Sequence, residues 1–162
     1  MSITLTPTPT TTPTPTTAPS RPRAMPRLAT TPVWRVGAMA AIAAAVATTA
    51  VAVIAKAVGV PLMAAPQTAD AAQAIPMTGF AMGTLLSTAI GTVLAVVLAR
   101  RAGHPVRIFV AVTAVLTVVS FAGPITTGYA TTATRLVLEL THVVAAAIVI
   151  PALAWRLAQR RV

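Results

Sequence analysis

Long apolar runs separated by short polar connections dominate the pattern along this chain. Four of these runs lie at about residues 36–60, 77–99, 106–128 and 134–155. A helix needs about 20 residues to cross a hydrocarbon core of about 30 Å, whereas a membrane strand needs about 10 with strict alternation, and no such alternation is visible. The pattern predicts an all-α fold in which residues 32–162 form a four-helix transmembrane bundle.

The connections indicate how the predicted helices pair. The loop at residues 61–76 contains three prolines, which disfavour a long helix there. The connection at residues 100–105 reads RRAGHP, and its shortness predicts that the second and third helices form an antiparallel pair. The short turn after Gly123 and Pro124 predicts the same for the third and fourth helices.

The first 31 residues differ from the rest of the chain. They alternate threonine with proline, as in TPTPTTTPTPTT. Proline removes backbone donors and favours extended, solvated conformations, so the pattern predicts a disordered, low-complexity tail. The sequence leaves open whether this tail is a plain spacer or a site of modification.

Basic residues fall almost entirely on one side of the four predicted helices. Of the twelve Lys and Arg residues, only Lys56 and Arg135 fall on the other side. Lys and Arg are retained on the cytoplasmic face, which predicts a multi-pass protein of the cytoplasmic membrane with both termini inside. Trp34 and Trp155 fit the inner interface and Tyr129 the outer one. The basic residues assigned to the inner side are Arg21, Arg23, Arg27, Arg35, Arg100, Arg101, Arg107, Arg156, Arg160 and Arg161.

A secretory signal is the competing interpretation of the first run. Basic residues, an apolar run and the small-residue pattern around Lys56 resemble a signal with its cleavage site. The uncharged stretch at residues 36–55 is longer than the usual 7–15 residues of such a signal. We therefore expect the first helix to be retained, and cleavage stays an open alternative.

Composition limits the classes of protein that fit. The chain is 56% hydrophobic and 9% charged, whereas a soluble domain carries about a quarter of charged residues. It has no cysteine, which excludes disulfides and thiolate metal sites. The net charge is +10, but there is no basic helix face and no aromatic stacking cluster, so nucleic acid is not an expected partner.

The second run contains a stripe of small residues. Gly79, Gly83, Ser87 and Gly91 follow one another at intervals of four, which places them along one slowly drifting line of a helix. Small residues allow close approach of a neighbouring backbone in lipid. The stripe predicts a helix–helix contact, within the bundle in preference to between subunits.

The fourth run holds the candidate polar site. Arg135, Glu139 and His142 are spaced i, i+4 and i+7, so they project from one helix face in the outer half of the membrane. Three interpretations remain open: a polar clasp that fixes helix register, a site for a proton, cation or small polar ligand, and a contact with a partner membrane protein. The pair of Glu139 and His142 lacks a nucleophile and has too few ligands for zinc, so no catalytic, metal or cofactor site is predicted.

The chain also resembles a known group of proteins. The segments SFAGPITTG and LELTHVVAAAIVIPAL carry the resemblance, which extends from Trp34 to Arg156 and leaves out the Thr-Pro tail. They are similar to an uncharacterised family of small actinobacterial four-helix integral membrane proteins, a domain of unknown function. His142 and the corner at Gly123 and Pro124 match its typical pattern. The resemblance implies a four-helix inner-membrane fold and no activity.

Two classes of function follow from these observations. The first is a non-enzymatic membrane protein, either structural or an accessory subunit of a membrane complex. The alternative is a small transporter, or a proton- or ligand-binding protein, that uses the polar residues of the fourth helix and works as an oligomer. The expected partners are the lipid bilayer and, as open alternatives, another membrane protein or a second copy of the chain.

Overall fold

A computed structural model describes residues 31–65, 71–126 and 130–159. Its five helices are α1 (Val33–Ala57), α2 (Met77–Arg101), α3 (Pro105–Ser120), α4 (Ala122–Thr126) and α5 (Thr132–Ala158). Two short strands, β1 (Met63–Ala64) and β2 (Gln73–Ala74), lie between α1 and α2. The predicted tail falls almost wholly outside the described residues.

The helices form four spans that are long and apolar enough to cross a membrane. α1, α2 and α5 are one span each, and α3 together with α4 forms the remaining one, Pro105–Thr126. The buried share of these spans ranges from 11% to 33%, so most of their apolar side chains face outward. Lipid is the solvent that suits such a surface, and the protein is a four-helix transmembrane bundle.

α1 ends in a motif that turns the chain toward the hairpin. The backbone N–H of Val60 donates to the carbonyl of Ala55, and that of Gly59 donates to the carbonyl of Lys56. This is the Schellman arrangement, and it requires a left-handed residue after the helix. Gly59 supplies it with a φ of 88°, a conformation that glycine adopts without steric cost.

The loop after α1 contains a minimal antiparallel ladder instead of an irregular connection. Met63 pairs with Ala74 and Ala64 with Gln73. The N–H of Ile75 extends this contact to the carbonyl of Leu62. Strands of two residues carry no alternating pattern, which is why the sequence did not predict them.

The third span is broken, which corrects the single helix predicted at residues 106–128. Pro124 has no backbone N–H to donate to Ser120, four residues earlier, and its ring crowds that carbonyl. α3 accordingly ends at Ser120. The N–H of Phe121 turns back to Val118, and α4 begins at Ala122.

α5 is one continuous helix. The side chain of Thr131 caps its start by accepting a hydrogen bond from the N–H of Thr134 at 3.2 Å, as threonine does at helix N-termini. The helix continues through Pro151 to Ala158.

Packing is organised around α1, which lies against both α2 and α5. Ala40, Ala44 and Ala52 of α1 are fully or almost fully buried, so small side chains bring these helices close together. α3 packs mainly on α5 and meets α2 only sparingly. The second and third helices are in contact, as predicted, but they pack less closely than the third and fourth.

The bundle has two distinct ends. The hairpin end carries β1, β2 and α4, and its core comprises Ala52, Ala55, Leu62 and Phe80. The terminal end carries the start of α1, the end of α5 and the turn between α2 and α3. Its core includes Phe109, Leu153 and Leu157, all fully buried.

Candidate functional site

A cavity of about 590 Å³ lies between α2, α3 and α5. We call it the interhelical slot. The slot exists because α2 packs mainly against α1 and α3 packs mainly against α5. The contact between α2 and α3 is weaker than either of these. Ile90 and Leu116 line the slot and are 61% and 52% exposed, so it communicates with the lipid-facing surface of the bundle.

The walls of the slot are apolar with interspersed hydroxyl groups. The hydroxyl-bearing residues come from all three helices, and one imidazole, that of His142, accompanies them. Among the described residues that line the slot there is no Asp, Glu, Lys or Arg. The hydroxyl-bearing residues are Thr84, Ser87, Thr88, Thr113, Thr117, Ser120 and Thr141.

The predicted small-residue stripe of α2 lines this slot. A Cβ built on Gly83 or Gly91 would meet no atom within 4 Å, and one on Gly79 would meet only Ile75 and Pro76, next to α2 itself. Ser87 is exposed and donates to the carbonyl of Gly83. In the described part of the chain the stripe therefore makes no close contact with another helix, because α3 lies too far away. A contact with a second molecule stays a prediction.

The close helix contact is at a different glycine. A Cβ added to Gly37 of α1 would lie 2.9 Å from the Cβ of Thr92 on α2, and closer still to the Oγ1 and Cγ2 of that residue. Gly37 therefore lets α1 and α2 approach at a distance that no other residue allows. The sequence offers only a weak indication of this contact. Gly37 and Ala41 are spaced as in a GxxxA packing motif, but this spacing means little in so alanine-rich a helix.

His142 faces the slot and is held on two sides. Its Nδ1 lies 2.7 Å from the carbonyl oxygen of Leu138, one turn earlier in α5. Its ring also meets Phe121 edge to face, with the ring centroids 6.3 Å apart. The carbonyl oxygen can only accept, so Nδ1 carries the hydrogen and Nε2 of the neutral ring is an acceptor.

Arg135 and Glu139 share the predicted helix face but do not line the slot. Both are half-buried in α5. The hydrogen bond of His142 goes to the carbonyl of Leu138 and not to Glu139. The structure thus brings only His142 of the three into the cavity. Whether the group acts as a clasp, a site or a partner contact stays a prediction.

A side-chain hydrogen bond joins α1 to α2 near the slot. The hydroxyls of Thr48 and Thr84 lie 3.0 Å apart, and both residues are buried. Each hydroxyl also has a backbone acceptor in its own helix, the carbonyl of Phe80 at 2.8 Å for Thr84 and the carbonyl of Ala45 at 3.2 Å for Thr48. Sequence reasoning missed the slot and Thr84. The available signal was the repetition of hydroxyls four apart, at Thr84 and Thr88 and at Thr113 and Thr117.

The terminal end is fixed by arginine. Arg156 is buried near the end of α5, and its Nε donates to the carbonyl of Thr31, just before α1. The guanidinium of Arg35 lies over the ring of Trp34, 5.3 Å from the centroid, a cation–π contact. The contact between Arg156 and Thr31 ties the start of the first span to the end of the last.

Comparison with known proteins gives a family and no activity. No curated protein and no solved structure matches the chain. A family described as "Family of unknown function (DUF6069)" matches residues 28–159, which include every helix and the whole slot. The match agrees with the resemblance to an uncharacterised family, and the restriction to actinobacteria stays a prediction. The chain is a multi-pass membrane protein that belongs to the family of unknown function DUF6069.

Proposed function

We propose that this protein is a non-enzymatic, ligand-binding protein of the cytoplasmic membrane, which takes a lipid-soluble molecule into the interhelical slot. The observation that carries the proposal is the slot itself. Its volume of about 590 Å³ falls within the range of about 300–1,000 Å³ that is typical of small-molecule sites. Its walls are mostly apolar with a few polar groups, which is also typical of such sites.

The shape of the slot supports an elongated occupant. Its lining on α2 runs from Gly79 to Leu94, which is about 22 Å at 1.5 Å per residue. The lining on α5 runs from Leu138 to Ile150. A slot of this length suits an extended hydrocarbon chain.

This geometry favours the second of the two predicted classes of function. A structural or accessory role remains the second candidate, and the feature that favours it is the exposed face of α3, where Val115, Val118 and Val119 point outward. Another membrane protein or a second copy would bind on such a face. We propose no catalytic role and no cofactor, because the pair of Glu139 and His142 lacks a nucleophile in a recognisable setting and has too few ligands for zinc. We propose no nucleic-acid partner, because the sequence pattern has no basic helix face.

We further propose that both termini lie in the cytoplasm. The distribution of Lys and Arg supports this orientation, since only Lys56 and Arg135 fall at the hairpin end of the spans. The hairpin end then faces outward, and His142 lies in the outer half of the membrane.

The test is saturable photolabelling of the purified protein in nanodiscs by an alkane chain that carries a mid-chain diazirine. We expect labels on slot-lining residues of α2, α3 and α5 that excess unlabelled long-chain alkane removes. Gly83→Leu should reduce this saturable labelling at least about fivefold. The added side chain enters open space in the slot and improves helix propensity, so the variant should fold.

Ala114→Leu is the matched control. It adds the same side chain to an exposed position of α3 outside the slot, and saturable labelling should stay unchanged. Labelling that is spread evenly over the lipid-facing surface, or that is equal in the two variants, would contradict the proposed function.

A further inference from the structure

The slot is not uniform along its length. At the level of His142, toward the hairpin end, its walls include Thr117, Ser120 and Thr141. Toward the terminal end the lining residues are Leu94, Phe109, Val149 and Ile150. The polar groups therefore concentrate in the half that is nearer the hairpin, and the other half is hydrocarbon.

The hydroxyl groups in the polar half of the slot already donate their hydrogens to backbone carbonyls. Thr117 donates to the carbonyl of Thr113 at 2.8 Å, Ser120 to that of Thr117 at 2.7 Å, and Thr141 to that of Leu138 at 2.7 Å. Each hydroxyl has one hydrogen and two acceptor lone pairs. Since the hydrogens point back into the helices, the walls offer the slot acceptors and no hydroxyl donors at these residues.

His142 adds the strongest acceptor of the set. Because Nδ1 donates to Leu138 at 2.7 Å, the lone pair of the neutral ring is on Nε2. The contact with Phe121 and the hydrogen bond with Leu138 fix the ring from two directions. An imidazole held in this way accepts a hydrogen bond without first losing side-chain entropy.

Charge does not fit the slot. None of the described residues that line it carries a formal charge while His142 is neutral. An ion placed there would lose its hydration without gaining a counter-charge, which is costly inside a membrane. The headgroup that fits is uncharged and has a hydrogen to donate.

We propose, resting on the proposed function above, that the ligand is a single-chain amphiphile with an uncharged, hydrogen-donating headgroup such as an alcohol or a phenol. The headgroup hydroxyl donates to Nε2 of His142, and the hydrocarbon chain runs toward Leu94 and Phe109. His142 selects the headgroup, while the apolar half of the slot holds the chain.

Competition against the diazirine-alkane label tests this assignment with three probes of equal chain length. Hexadecan-1-ol has the donor, 1-methoxyhexadecane keeps the oxygen but lacks the donor, and hexadecyltrimethylammonium has a charge and no donor. Interhelical hydrogen bonds in membranes average about 0.6 kcal/mol and reach about 1.7 kcal/mol, so we expect the alcohol to compete about 3- to 18-fold better than the ether. The cation should compete worst.

Two variants assign the preference to the imidazole. His142→Phe keeps an aromatic ring beside Phe121 but has no acceptor, so the alcohol and the ether should compete equally while the alkane still labels the slot. Glu139→Gln, on the same helix face but outside the slot, should keep the preference of the wild type.

The outcomes separate the two proposals. If the alkane does not label the slot saturably, the proposed function fails. If it labels the slot but the ether competes as well as the alcohol in the wild-type protein, or the preference survives in His142→Phe, then only the headgroup assignment is overturned.

Discussion

Gly37 and Thr92 mark a close approach of α1 and α2, and the contact depends on the absence of a single carbon atom. The glycines of α2 have the opposite environment, since a Cβ at Gly83 or Gly91 would face open space in the slot. Glycine therefore has two roles at the residue scale. At Gly37 it permits packing, and on α2 it keeps a cavity open.

Gly37→Ala and Gly83→Ala should have opposite effects on stability. The first forces α1 and α2 apart at Thr92, and such overpacking costs about 1–3 kcal/mol. The second meets no atom and replaces glycine by a better helix former, worth up to about 1 kcal/mol in a helix interior. Unfolding by denaturant in detergent micelles measures both. Equal destabilisation by the two variants would show that the contact between Gly37 and Thr92 does not decide helix packing.

Sequence reasoning placed polar residues on the correct helix but did not predict their partners. The spacing of Glu139 and His142 put both within reach of each other. The carbonyl of Leu138 is also within reach of His142, since a helix offers a carbonyl four residues back, and it is the partner found. Side-chain rotamers decide between such partners, and spacing does not determine rotamers.

At the scale of elements, helix boundaries follow from local chemistry. Gly59 ends α1 through its left-handed conformation. Pro124 ends α3, because it has no backbone N–H to donate to the carbonyl of Ser120. These signals were visible in the sequence, and the apolar runs predicted α1, α2 and α5 to within about three residues at each end. The break at Phe121 was missed because apolar residues continue across it.

Pro124→Ala should join α3 to α4. The new backbone N–H can donate to the carbonyl of Ser120, which closes the helix ladder and removes the ring that crowds it. We expect hydrogen exchange across residues 120–126 to slow by about tenfold or more. Pro105→Ala is the control, because a proline in the first turn of α3 replaces an N–H that has no helical partner. If exchange at 120–126 is unchanged, the proline is not the cause of the break.

On the scale of the whole molecule, the slot follows from how the helices are distributed around α1. α2 and α5 both pack against α1, and α3 packs mainly against α5. The tight turn between α2 and α3 keeps them adjacent only near the terminal end. Connection lengths predicted neighbours along the chain correctly, but they do not specify which pairs pack closely. Which helices pack closely depends on buried alanines such as Ala44 and Ala52. In an alanine-rich sequence these cannot be distinguished from the exposed alanines.

Orientation in the membrane is also a property of the whole molecule. The chain has no cysteine, so a thiol reagent reacts only with a cysteine that is introduced by substitution. A membrane-impermeant thiol reagent applied to intact cells should label Gln73→Cys in β2 and spare Gly103→Cys between α2 and α3. Permeabilised cells supply the control, in which both variants react. Labelling of Gly103→Cys in intact cells would reverse the proposed topology and move His142 to the inner half of the membrane.

The most direct test of the account is an experimental density map of the protein in lipid nanodiscs. We predict a single elongated density in the interhelical slot, which begins beside His142 and ends near Leu94 and Phe109, with α2 and α3 apart along its length. A bundle in which α2 and α3 pack against each other, or in which the helix of another molecule fills the space between them, would contradict the account.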